Sequence, residues 1–165
     1  MTNLYKYHSN PKELLYYPEA FEVVPELVWE KYKNNPEELK KREHILAKDA
    51  KIAYCYADKV LNGRFELGEE AILKDAKYSF WYAYNILNGS FSLGEEAIAK
   101  DTEYSYWYAL DVLNNPFPLG ESEIAKDAWY SYVYAKNILK GRFELGEAIL
   151  AQDLDISLKY SIRNS

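Results

Sequence analysis

Between residues 48 and 151 the apolar and polar positions repeat one pattern four times, with a period of 26 residues. The copies read KDAKIAYCYADKVLNGRFELGEEAIL from Lys48, KDAKYSFWYAYNILNGSFSLGEEAIA from Lys74, KDTEYSYWYALDVLNNPFPLGESEIA from Lys100 and KDAWYSYVYAKNILKGRFELGEAILA from Lys126. Gln152-Asp153 opens a fifth copy that ends after its first apolar segment. A fixed period of this length marks a stack of supersecondary units.

Each unit predicts two helices. Asp49, Asp75, Asp101 and Asp127 precede an apolar run and suit the N-cap, where a carboxylate accepts from unpaired amides of the first turn. A helix of about 13 residues follows. Asn62-Gly63, Asn88-Gly89 and Lys140-Gly141 end it, with glycine expected in the left-handed position. In the third unit Asn114-Asn115-Pro116 does so instead, because Asn tolerates that conformation and Pro stops propagation. A loop with a fixed aromatic (Phe65, Phe91, Phe117, Phe143) leads to Leu-Gly-Glu and a short second helix.

Two short helices cannot bury their apolar faces alone, so the units must stack on one another. The expected fold is all-α: a small right-handed α-solenoid, or α-α superhelix, of helix-turn-helix repeats with atypical end caps. Residues 1–47 form the N-terminal cap, with Pro11, Pro18, Pro25 and Pro36 each starting a short helix. Residues 48–151 are the four repeats and 152–165 a polar C-terminal capping helix, all in one domain.

Within the long helix, the pairs Ala53/Ala57, Ser79/Ala83, Ser105/Ala109 and Ser131/Ala135 place small residues one turn apart on a face where a neighbouring helix approaches closely. Ile86, Val112 and Ile138 continue that core stripe. Tyr56, Tyr82, Tyr108 and Tyr134 lie at its edge, with rings expected between units and hydroxyls hydrogen-bonded. Tyr54, Phe80, Tyr106 and Tyr132 are expected against the adjacent short helix.

Composition sharpens the picture at one point. Aromatic residues are 16% of the 165-residue chain, 17 of them Tyr, which exceeds what a core of this size requires. Some are therefore candidates for a partner surface: Trp81, Trp107 and Trp129, with Tyr84 beside them. The repeated acids Glu69, Glu95 and Glu121 (with Glu147) suit a helix dipole, and are also candidates for a basic partner. Arg64 and Arg142 are expected to pair with these acids or with loop carbonyls.

Charge and motif content exclude much. A net charge of −6, and 11 Lys/Arg against 16 Asp/Glu within residues 48–151, disfavour a phosphate-backbone binder. A stacking platform for bases or an acidic mimic of DNA remain as alternatives. A single cysteine, Cys55, excludes an intrachain disulfide and a thiolate cluster. His8 and His44 belong to no metal or catalytic motif, and no phosphate-binding loop or nucleophile elbow is present. No catalytic residue, metal or cofactor is expected. The N-terminal MTNLYKYHSN has no apolar core, and no apolar run approaches the ~20 residues that cross a bilayer. A cytoplasmic, non-membrane protein is expected.

The words GRFELGE (63–69 and 141–147), EEAIAKD (95–101) and YSYWYA (104–109) are similar to those of a Tyr-rich helical repeat of about 26 residues, found in uncharacterised proteins of tailed bacteriophages and other large DNA viruses. The resemblance spans about 45–153, and Ala50, Ala76, Thr102 and Ala128 stand where that family often has Pro. It implies a viral origin and a place in the host cytoplasm, and it carries no catalytic residue with it. The functions expected are a protein-binding scaffold, such as a phage accessory protein inhibiting a host defence factor, or a structural protein of the virion.

Overall fold

The Asp at each repeat junction separates the helices as its sequence position predicts. In the computed structural model, which describes residues 22–164 and side chains to 161, each Asp has an extended backbone and its carboxylate accepts from the amide three residues on. The distances are 2.9 Å for Asp49 to Ile52, 3.0 Å for Asp75 to Tyr78, 3.0 Å for Asp101 to Tyr104 and 2.9 Å for Asp127 to Tyr130. Short and long helices are therefore distinct, and among the described residues there is no strand.

The chain divides into two compact units, with the boundary between Ile72 and Leu73. The first holds α1 (Pro25–Tyr32), α2 (Pro36–Lys40), α3 (Glu43–Leu46), α4 (Ala50–Tyr56) and α5 (Glu69–Ile72). Pro25 and Pro36 open α1 and α2 as expected, whereas Pro11 and Pro18 lie outside the described residues. Leu27 and Val28 of α1, Leu39 of α2 and Ile45 and Leu46 of α3 are buried, and α1 packs on α3 and α4.

The second unit holds α6 (Ala76–Trp81), α7 (Glu95–Ile98), α8 (Thr102–Trp107), α9 (Pro118–Ile124), α10 (Ala128–Tyr134), α11 (Glu147–Leu150) and α12 (Leu154–Asn164). Each long helix packs on its own short helix and on the next long helix: α6 on α7 and α8, α8 on α9 and α10, α10 on α11 and α12. This is an all-α repeat fold.

Small residues make that packing close. Ser79, Ala83, Ser105, Ala109, Ser131 and Ala135 have no exposed surface. Ser105 and Ser131 also donate from their hydroxyls to the carbonyls of Ile98 and Ile124, at 2.9 and 3.1 Å. Opposite them lie the glycines of Leu-Gly-Glu. A Cβ on Gly120 would sit 2.6 Å from the Ser105 hydroxyl and 2.7 Å from the Phe117 ring. Gly94 and Gly146 stand in the same relation to Ser79 and Ser131.

The long helices end differently from expectation. Each widens into a π-helical segment: Ala57–Leu61, Tyr82–Leu87, Tyr108–Leu113 and Ala135–Leu139. The left-handed residue is then Asn62, Asn88, Asn114 or Lys140, with φ of 46 to 52°, and no described glycine has positive φ. The following amide closes the helix by donating six residues back, Gly89 to Ala83 at 3.2 Å for example. Gly63, Gly89 and Gly141 are thus not the left-handed residues, whereas in the third repeat an Asn, Asn114, takes that conformation as expected. A π turn advances less per residue than an α turn. The apolar stripe therefore drifts round the helix, which leaves Ile86, Val112 and Ile138 half-buried rather than in the core.

Asn tolerates the left-handed region, whereas a Lys held there is strained. Lys140→Asn is therefore expected to stabilise the protein by up to about 1 kcal/mol, read as a higher urea midpoint.

Candidate functional site

The aromatic residues of the long helices fall into two sets. The first is wholly buried: Tyr56, Tyr82, Tyr108 and Tyr134 have no exposed surface. The Tyr108 hydroxyl donates to Glu95 Oε1 at 2.8 Å and accepts from the Phe91 amide at 3.0 Å. Its ring meets Phe117 edge-on, with centroids 5.1 Å apart. Tyr134 does the same one repeat later, to Glu121 at 2.8 Å and the Phe117 amide at 2.9 Å. Tyr160 of α12 accepts from the Phe143 amide at 2.8 Å. In the first unit, Tyr56 donates to Glu43 at 2.7 Å.

Tyr108, Tyr134 and Tyr160 thus each clasp the loop and short helix of the preceding repeat. The signal for this pairing is in the sequence, as a constant 13-residue offset from Glu43, Glu95 and Glu121 to Tyr56, Tyr108 and Tyr134. Reading the acids as dipole partners or as candidates for a basic partner missed it.

The candidate acids therefore carry internal bonds. Glu95 and Glu121 accept from tyrosine hydroxyls. Glu69 is buried and takes a two-pronged contact from Arg64, at 2.6 and 3.0 Å. Arg142 holds Glu147 in the same way, at 2.8 Å for both bonds.

Burial, reinforced by the adjacent carboxylate, pushes the phenols of Tyr56 and Tyr108 well above their ordinary value, and burial does the same at Tyr134. A group whose folded pKa is raised contributes stability below its unfolded pKa and loses it as pH rises past that value. Stability is therefore expected to fall above about pH 10, which unfolding midpoints measured from pH 8 to 12 would show.

The second set runs from buried rings to exposed ones. Phe80 and Tyr106 are buried and their rings meet Tyr104 and Tyr130, each with centroids 5.7 Å apart. These partners belong to the next long helix. Beside them the indoles reach solvent. Trp107 lies edge-on to Tyr106 at 5.2 Å and is 37% exposed. Trp129 is 53% exposed, with Tyr132 at 6.0 Å. Trp81 is half-buried, and the exposed Tyr84 stacks on Phe80 at 5.9 Å and meets Trp81 at 6.2 Å. Val133, at the repeat position of Trp81 and Trp107, is buried.

The exposure of the leucine at each Leu-Gly-Glu, Leu67, Leu93, Leu119 and Leu145, also escaped the sequence reading. Leu93 and Leu145 stand five residues before the buried Ile98 and Leu150, the spacing of a hydrophobic staple at the start of α7 and α11.

An open groove of about 480 Å³ in the second unit is lined by Leu73, Ala76, Leu93, Ala97, Lys74 and Glu96 among others. His44 is exposed, and His8 lies outside the described residues. No group of three potential metal ligands occurs among the described residues. No described helix is long and apolar enough to cross a membrane.

Compared with protein-family models, curated proteins and solved structures, the chain matches none.

Proposed function

We propose that the chain is a non-enzymatic helical-repeat scaffold, an α-solenoid whose long-helix face binds another protein. The observation that carries this reading is the outward placement of Trp107 and Trp129, where every other ring on the repeats' long helices except Tyr84 is buried or half-buried. Trp and Tyr dominate the energetics of protein interfaces, because a large rigid ring gains contact area with little loss of conformational freedom. The candidate surface is Trp81, Tyr84, Trp107 and Trp129, all in the second unit. Glu69, Glu95 and Glu121 are left out of it, since their carboxylates are already bonded internally. The similarity of the repeat words to phage and viral helical repeats supports a narrower form: a phage accessory protein that binds and inhibits a host defence factor in the host cytoplasm.

Co-purification of the tagged chain from bacterial lysate tests the reading. A stoichiometric protein partner, lost from Trp107→Ala and Trp129→Ala chains that keep their helical circular dichroism, is the expected result. A partner retained by both variants, or none at all, counts against it, and a nuclease-sensitive partner would point to nucleic acid instead.

A further inference from the structure

The repeats keep their core positions but diverge along one outer column of the long helices, formed by the first exposed residue and those one and two turns on. That column reads Lys51, Cys55, Lys59 in the first repeat, then Lys77, Trp81, Asn85, then Glu103, Trp107, Asp111, then Trp129, Val133, Asn137. In the third repeat alone, an exposed indole stands between two exposed carboxylates, each one helical turn away. The helix from Thr102 to Leu113 contains no Lys or Arg. Among the described residues neither Glu103 nor Asp111 forms an ion pair. Neighbouring atoms partly desolvate Asp111 and push its carboxyl up, as expected of an acid that lacks a counter-charge.

Rings on this face already receive cations from the chain itself. Lys77 places its ammonium 5.5 Å from the Tyr78 centroid, and Lys136 lies 5.8 Å from that of Tyr132. Trp107 has the stronger quadrupole of the aromatic types, and among the described residues no cation lies over it.

Resting on the protein-binding reading above, we propose that Glu103, Trp107 and Asp111 dock a cationic segment of the partner, with an Arg or Lys side chain over the indole and the flanking carboxylates pairing its neighbours. Charge complementarity argues for this occupant. An acidic or purely apolar segment would leave both carboxylates desolvated and unpaired, whereas a basic one satisfies them and places a cation on the indole.

The probe is a capped, amidated peptide of four Ala-Ala-Arg triplets, compared with its Ala-Ala-Glu counterpart, on the full chain with ¹⁵N-labelled indoles. The Arg peptide is expected to shift the Trp107 indole N–H saturably, and the Glu peptide to leave it unmoved. Labelled-peptide anisotropy is expected to show about tenfold weaker binding to Trp107→Ala. Similar weakening is expected for the near-isosteric pair Glu103→Gln with Asp111→Asn, which removes charge without removing packing, and binding should also fall with added salt. Equal binding of both peptides, no binding of either, or an unchanged affinity in the double carboxylate variant overturns the proposal. A captured protein that is lost from Trp107→Ala yet retained by the carboxylate variant would overturn this inference alone. One retained by both Trp107→Ala and Trp129→Ala would remove the protein-binding reading at this face as well.

Discussion

Replacing Tyr108 with phenylalanine is expected to destabilise the second unit by about 2–3 kcal/mol, although only one oxygen atom is lost. That hydroxyl donates to the Glu95 carboxylate at 2.8 Å and accepts from the Phe91 amide at 3.0 Å, on a side chain with no exposed surface. The ring remains and continues to pack against Phe117, so little apolar burial changes. What changes is that a carboxylate oxygen and a buried amide lose their partner together, and an unsatisfied buried group costs more than the bond it made. In a chain of this size the shift corresponds to roughly 5–10 °C in the unfolding midpoint. A double-mutant cycle with Glu95→Ala should be strongly non-additive. Equal losses from Tyr108→Phe with and without Glu95 would show that the hydroxyl does not act through this carboxylate.

Gly120→Ala is expected to have a comparable effect, about 2–3 kcal/mol, through crowding rather than a lost bond. The added methyl group would meet the Ser105 hydroxyl at 2.6 Å, its Cβ at 2.8 Å and the Phe117 ring at 2.7 Å. The hydroxyl could rotate away, but Ser105 Cβ and the ring are held by a buried helix face and by the Tyr108 contact. Gly89→Ala is the internal control. A Cβ there meets nothing nearer than the Leu87 carbonyl at 3.9 Å, so a change within about 0.5 kcal/mol is expected. Chemical unfolding of the two variants side by side checks the difference, and equal stabilities would mean that α8 and α9 do not depend on this close approach.

These two contacts also show what could be read from the sequence. The period, the capping Asp at each junction and the small-residue face were all legible, because each rests on local chemistry or on spacing along one helix. The partner of Gly120 was not, since its contact with Ser105 joins separate helices, and periodicity marks both residues without pairing them. The position of the left-handed residue was missed for a local reason. The π turn moves the helix end, and Asn88 rather than Gly89 takes the left-handed backbone. At the candidate surface, the sequence placed the Tyr108 column between repeats and left open whether the Trp107 column points outward. Exposure decides it, with Tyr108 at 0% and Trp107 at 37%. The sequence also offered Glu95 and Glu121 to a partner, although it read them first as structural, because a carboxylate bonded to an internal hydroxyl looks no different in one dimension from a free one.

The division between clasping tyrosines and outward indoles underlies both the fold and the proposed function. Paramagnetic relaxation of side-chain resonances by a soluble, uncharged gadolinium chelate tests it most directly. Strong attenuation of the Trp107 and Trp129 indole N–H signals, with the Tyr108 and Tyr134 ring signals spared, is expected. Protection of the Trp107 indole to the same degree as the Tyr108 ring would contradict the division, place the indole within the repeat packing and leave the long-helix face without its anchor.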